Sequence, residues 1–264
     1  MDTHPESTRD EPASRDIVGS LERGLAVMEI LAAHPAGLTL TETAEKAGMT
    51  RAGARRFLLT LVATGYALQE GRKFRLSPRL ISVARSWLAG SSLWNFAEPF
   101  MREVSGRFSE ACSAAVLAGE DVVYVARVPG RHILSVALHV GTRLPAFCTS
   151  MGRVLLSDLS VSERAAFLDR ARINALTPKT VTDRTELAEA IARAGRDGYS
   201  TVDGELEPGL RSIAVPVRDR AGAVVAAINV STQSARLSVR DMERQVLPAL
   251  REAARRIEDY FVVQ

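Results

Sequence analysis

The sequence predicts two domains of different class: an α-rich amino-terminal domain of short helices followed by a hairpin, and a larger α+β domain on a mainly antiparallel sheet. Three observations carry this. Between Ser20 and Gly65 apolar residues recur at helical spacing, broken at short intervals by cap and turn residues. From Tyr66 to Leu76 apolar and polar residues alternate on either side of Glu70-Gly71, as in a hairpin. Beyond Gly90, helical stretches are interspersed with strand-like runs that double back through tight turns, which favours an antiparallel sheet with helices packed on it.

The chain has 264 residues, of which 46% are hydrophobic, ample for real cores. No apolar run approaches the roughly 18 residues of a membrane span, and the first residues lack a secretory pattern. A soluble, cytoplasmic protein without a membrane partner is expected. Two cysteines, Cys112 and Cys148, make no disulfide framework and fit a reducing compartment. The net charge of +3 is concentrated: residues 16–90 carry 10 basic against 6 acidic side chains.

Residues 1–15 are too polar to offset their ordering entropy by burial and read as a disordered tail. Leu21, Leu25, Met28 and Leu31 then form the stripe of a first helix, with Ser20 as its expected N-cap and His34-Pro35 as its stop. Thr39 caps a short second helix, closed by Gly48. Thr50 caps a third, in which Ala54, Phe57, Leu58, Leu61 and Val62 share one face while Arg51, Arg55 and Arg56 fall off it. The hairpin carries Arg72 and Lys73 beside its turn. Ser77-Pro78 opens a connecting helix over 77–90, striped by Leu80, Ile81, Ala84, Trp87 and Leu88.

In the second domain, Phe96, Phe100, Val104 and Phe108 mark a helix. Strands are expected over Cys112 to Leu117, Val122 to Val128, Ile133 to Leu138, Ile213 to Val217 and Val224 to Val230. Ser160 with Glu163 and Asp183 with Glu186 have capping-box spacing, and one amphipathic helix runs from about Val239 to Tyr260.

Helices in this order followed by a basic hairpin make a winged helix-turn-helix over 16–76, whose third helix enters the major groove of double-stranded DNA. Thr50, Arg51, Arg55 and Arg56 lie at that helix start and Arg72 and Lys73 on the wing, within reach of base edges and phosphates. Gly53 permits close approach of the backbone to DNA or to a neighbouring helix. A single winged domain offers few base contacts, so a homodimer or dimer of dimers is expected, with the Trp87-Leu88 stripe as its seam.

Ser20-Leu-Glu-Arg-Gly-Leu-Ala-Val-Met28, Gly48 to Tyr66 and Phe74-Arg-Leu-Ser-Pro78 resemble the DNA-binding domain of the IclR family of bacterial regulators. Val140-Gly-Thr-Arg-Leu-Pro145, Ser150-Met-Gly-Arg-Val-Leu-Leu156, Gly209 to Val217 and Ala226-Ala-Ile-Asn-Val-Ser231 resemble its effector domain. Thr50-Arg51-Ala52, Arg55-Arg56 and Ser92-Leu93-Trp94 are most similar to the branch controlling protocatechuate, 4-hydroxybenzoate and related aromatic-acid catabolism. The resemblance implies a GAF-like effector domain over 91–264 that binds a small carboxylate in a cup. Carried over by position, the cup comprises Val136, Leu144, Ser150, Met151, Asp203, Glu205, Leu210, Ser212, Asn229 and Ser231. The helix start at Ser150-Met151 favours an anion through free backbone N–H groups.

Other readings stand beside this one. Ser212, Asn229 and Ser231 also fit strands that alternate toward solvent. Arg143 is either a carboxylate partner or, more in keeping with its turn, half of a structural ion pair. Cys148 is either a redox-sensitive thiol or a buried small hydrophobe. An enzyme with a vestigial DNA-binding fold is a further alternative, yet no nucleophile elbow or phosphate loop is present. His132 and His139 lie an odd number of residues apart on an expected strand and face opposite sides. No catalytic residue, metal site or cofactor is expected.

Overall fold

The computed structural model describes residues 18–83, 92–131 and 138–263. The tail, Val136, Trp87, Leu88 and the strand expected from Ile133 lie outside them, the last except for Leu138. The chain divides into two compact units, residues 1–89 and 90–264.

In the first unit, α1 (Gly19–Ala32) precedes β1 (Leu38–Thr39), α2 (Leu40–Lys46), α3 (Arg51–Ala63), β2 (Ala67–Glu70) and β3 (Lys73–Leu76). The strands form an antiparallel sheet in the order β1-β3-β2. Local chemistry sets the helix starts. Thr39 and Glu42 form a reciprocal capping box, and the Thr50 hydroxyl accepts from the Gly53 N–H at 3.2 Å. The core is Val27, Leu31, Leu38, Leu58, Ala67 and Phe74.

Three expectations are corrected. α1 begins at Gly19 after Val18 with no side-chain cap, so Ser20 lies inside it. Of its expected stripe only Leu31 is in the core, joined by Val27; Leu21 and Leu25 remain 62% and 47% exposed. On β2, Ala67 is the buried residue and Leu68 faces outward, because Ala67 pairs with Leu76 and sets the inward phase.

The second unit contains α4 (Ser92–Phe108), β4 (Ala111–Ala118), β5 (Asp121–Val128), β6 (Arg143–Pro145), a 3-10 turn (Ala146–Cys148), α5 (Ser150–Ser157), α6 (Val161–Arg170), α7 (Arg184–Asp197), β7 (Ser200–Asp203), β8 (Leu210–Arg218) and β9 (Val224–Gln233). A helical turn (Val239–Asp241), a π-helical stretch (Met242–Val246) and α8 (Leu247–Val263) complete it, in place of one uninterrupted helix. The strands make one antiparallel sheet, β6-β5-β4-β9-β8-β7. Alternation assigns its two faces. Cys112, Ala114, Ile213, Val215, Ile228 and Val230 pack with α4 and α8. Ala115, Tyr124, Ala214 and Ala227 pack with the 3-10 turn, α5, α6 and α7. On α4 the buried stripe is Trp94, Ala97, Met101 and Val104, rotated from the expected one, so that Phe96 is exposed. The Ser160-Glu163 capping box is complete, and Asp183 accepts from the Glu186 N–H at 2.8 Å.

Candidate effector cup and nucleic-acid interface

α3 shows one face to its own core and the other to solvent. Ala54 and Leu58 are buried, whereas Arg51, Arg55 and Arg56 are exposed and form no ion pair with a described residue. Thr50 holds the helix start by accepting from the Gly53 N–H, and among the described residues Gly53 has only the Thr50 hydroxyl near its missing Cβ. Arg72 and Lys73 are exposed at the β2–β3 turn, where Gly71 takes a positive φ of 60°. Arg75 instead pairs with Glu70 across the hairpin, its Nε at 3.1 Å. Behind α3, Leu21, Leu25 and Met28 of α1 join Phe57, Leu61, Leu80 and Val83 in lining an apolar groove of about 930 Å³. The α1 stripe that misses the core lines this groove.

In the second unit the apolar pattern of the central strands is broken on one face. Ser113, Ser212, Asn229 and Ser231 all point toward the α5 side, where β-strand alternation would otherwise place small apolar residues. Asn229 and Ser231 are buried and Ser212 is half-buried, so they do not alternate toward solvent. Opposite them stands the start of α5. Gly152 lets α5 approach the preceding turn, since a Cβ there would overlap the Ala146 carbonyl.

Between these elements lies a cup of about 20 Å³, room for roughly one water molecule. Ser150, Leu210, Ser212, Asn229 and Ser231 line it as the sequence places them, with Tyr124, Leu138, Cys148, Thr149, Val202 and Leu206 in addition. The Ser150 hydroxyl donates to Ser212 at 2.8 Å, and Asn229 Nδ2 donates to Ser231 at 3.1 Å. The Asn229 carboxamide oxygen is buried without a hydrogen-bond partner among the described residues. Whichever way the amide is turned, one of its ends is unspent. Thr149 accepts from the Gly152 N–H at 3.1 Å, which occupies one of the donors of the α5 start.

Other expected cup residues lie elsewhere. Met151 is one helical step from Ser150 and is packed in the core. Leu144 is on β6, opposite Val122, and packs against the same apolar cluster. Asp203 is held by Lys179 and Arg211, each at 2.9 Å, which keeps its carboxyl below the usual range, the Arg211 bond contributing most. Glu205 forms a buried ion pair with Arg153 at 2.7 Å. Arg143 pairs with Asp121 at 3.0 Å, a structural role.

The electrostatics weigh against thiol chemistry. Burial pushes Cys148 up to about 12, with Glu205 adding to the effect and Arg153 opposing it, so the reactive thiolate is suppressed. Cys112 is likewise raised to about 12 by burial. Among the described residues no His, Cys, Asp and Glu group could hold a metal, and no helix is long and apolar enough to cross a membrane.

Tyr124, Leu206 and Val202 were not identifiable from sequence as cup residues, because each reaches the cup only through strand register or the turn after β7. Cys148 and Thr149 had a local signal, being adjacent to Ser150 at the expected helix start.

Comparison with known proteins is consistent along the chain. Residues 20–71 match the IclR helix-turn-helix domain, and residues 86–259 match the family described as bacterial transcriptional regulator IclR C-terminal. The Pca regulon regulatory protein of Pseudomonas putida is 39% identical over 91% of this chain and 83% of its own length. The p-hydroxybenzoate hydroxylase transcriptional activator of Acinetobacter baylyi is 34% identical over 97% and 96%. A crystal structure of an IclR homolog complexed with 4-hydroxybenzoate, from Microbacterium hydrocarbonoxydans, superposes with a TM-score of 0.78 at 29% identity, covering 93% of this chain and 100% of that one.

Proposed function

The chain belongs to the IclR family of DNA-binding transcriptional regulators, and from that premise we propose a homo-oligomeric regulator whose operator binding responds to a small aromatic carboxylate. Residues 16–76 read DNA, 77–90 connect, and 91–264 sense the effector. The observation that carries the DNA half is the exposed arginine face of α3, Arg51, Arg55 and Arg56, free of ion pairs to described residues, with Arg72 and Lys73 on the wing. Guanidinium groups without carboxylate partners keep their forked donors for guanine edges and phosphates. The apolar groove behind α3, with two strongly exposed leucines, supports assembly of copies through α1 and the connecting helix.

The effector half rests on the cup. The cup holds only about 20 Å³, so a ring must spread it, and its apolar side chains with a few convergent polar groups suit a small ring bearing polar substituents. The aromatic class is supported by the 4-hydroxybenzoate bound in the Microbacterium homolog. Such a ligand alters transcription only if it favours one of two DNA-binding arrangements.

The test combines operator footprinting with thermal unfolding in the presence of 4-hydroxybenzoate. An acid at 100 times its Kd stabilises the native chain by about 2.7 kcal/mol. Ser212→Ala, which removes the hydrogen-bond partner of Ser150, should weaken binding by about 0.5–1.5 kcal/mol. A protected operator with no thermal response to any aromatic acid would leave the DNA-binding half and remove the effector class.

A further inference from the structure

None of the side chains lining the cup is charged. A site that selects an acid over a neutral molecule of the same shape needs a positive potential, and here that potential must come from just outside the lining. Two cations act on the titratable lining residues Cys148 and Tyr124. Arg153 acts on Cys148, but its charge is countered there by Glu205, its ion-pair partner at 2.7 Å. Arg127 acts on Tyr124, and no acidic side chain among the described residues counters its charge.

The sheet places Arg127 for this purpose. It lies on β5 directly opposite Ser113, and Ser113 lies directly opposite Asn229 on the next strand. The three residues form one row across three strands on the face that carries the cup. With neighbouring strands about 4.8 Å apart, Arg127 stands roughly two strand spacings from the unspent Asn229 amide. Its guanidinium donates to the Ser113 hydroxyl at 3.0 Å and pairs with no acidic side chain among the described residues. The group is half-buried, and desolvation lowers its pKa from the usual arginine value, with Tyr124 pulling the other way. A half-buried cation whose hydrogen-bond partner among the described residues is a neutral hydroxyl is costly to keep. An incoming carboxylate would relieve that cost.

We propose that Arg127 is the anion-recognising residue of the cup: it receives the effector's carboxylate, and the far polar substituent of the ring is directed to Ser150 and Ser212. The assignment rests on the effector reading above and deepens it. It also moves the carboxylate from the α5 start, where sequence alone placed it, to the β5 side of the sheet. The α5 start then serves the uncharged end, in keeping with a Gly152 N–H already satisfied by Thr149.

The experiment is calorimetry on the full chain with 4-hydroxybenzoate and its uncharged isostere, 4-hydroxybenzamide. The parent should prefer the acid by at least about tenfold, as expected of a charge-assisted contact. Arg127→Gln should lose acid affinity by at least that factor and keep its affinity for the amide, so that the preference collapses. Arg127→Lys retains the charge without the fork and should preserve the order of the two ligands at reduced affinity, which keeps the proposal testable if the glutamine variant folds poorly. An acid preference that survives in Arg127→Gln, or is lost in a folded Arg127→Lys, overturns the assignment and leaves the effector reading intact. Failure of the parent to bind either ligand overturns both.

Discussion

Glu205→Ala separates a structural carboxylate from a ligand contact, and the structure sets the size of the effect. Arg153 and Glu205 are 5% and 6% exposed. The Glu205 carboxylate accepts from Arg153 at 2.7 Å and from the Val181 N–H at 3.2 Å, while Arg153 Nε donates to the Phe147 carbonyl at 3.1 Å. Truncation leaves a buried guanidinium with one neutral acceptor, a loss of about 3–5 kcal/mol for breaking a buried pair from one side. It also orphans the Val181 N–H, about 1–3 kcal/mol if the site stays dry. Water entering the vacated space would serve both groups, so the contributions overlap and the total is about 4 kcal/mol. With a urea m-value near 2 kcal/mol/M, the unfolding midpoint falls by about 2 M. Fluorescence in a Trp87→Phe background reads this cleanly, because the chain has two tryptophans and Trp94 is buried in the second unit. Replacing both partners, Arg153→Met with Glu205→Leu, should recover most of the loss. A Glu205→Ala chain that unfolds at the parent midpoint yet no longer binds acid would refute the reasoning and return Glu205 to the cup.

Arg51→Ala, Arg55→Ala and Arg56→Ala should each lower operator affinity, by about 1–3 kcal/mol where a bidentate base contact is lost. Lys73→Ala should lower affinity for all DNA and flatten the salt slope by about one; mobility shifts across a salt series distinguish the two patterns, and four unchanged variants would take α3 out of the groove. Leu25→Glu puts a charge on the wall of the apolar groove and should weaken self-association and operator binding together, which sedimentation velocity and footprinting report; an unchanged oligomer would place the seam elsewhere. With Cys148 raised to about 12, a thiol reagent at pH 8 should modify it at least about a hundredfold more slowly in the native chain than in the unfolded one. Fast native-state labelling would reinstate the redox reading.

What could be read from the sequence was what local chemistry decides. Thr39, Thr50 and Ser160 with Glu163 mark helix starts because a cap oxygen and the N–H that donates to it lie within one turn. Periodicity located α1 and α4 but not their partners: Leu21 and Leu25 line a groove instead of the core, and the buried side of α4 runs through Trp94 and Met101 instead of Phe96. β6 and β7 have three and four residues, too few for alternation to show. In the cup, Ser212, Asn229 and Ser231 were legible through the family resemblance and not through their spacing, which fits strands alternating toward solvent equally well. Glu205 could not be assigned, since its partner Arg153 lies on a distant helix. Arg127 was illegible for the same reason: only the register of β5 on β4 and of β4 on β9 brings it beside Asn229.

β8 is built as a two-sided lever. Leu210 and Ser212 enter the cup, while Arg211 between them reaches the other way, to Asp203 at 2.9 Å, to the Ser234 carbonyl at 3.2 Å and to the Leu237 carbonyl. Those carbonyls belong to the turn that leads into the carboxy-terminal helices. A peptide backbone is too stiff for Leu210 and Ser212 to shift outward while Arg211 stays behind. A ring that spreads the cup therefore pulls on the joint between β9 and the terminal helices without touching it. Amide exchange in residues 234–238 should accordingly register the arrival of an effector on the opposite face of the sheet.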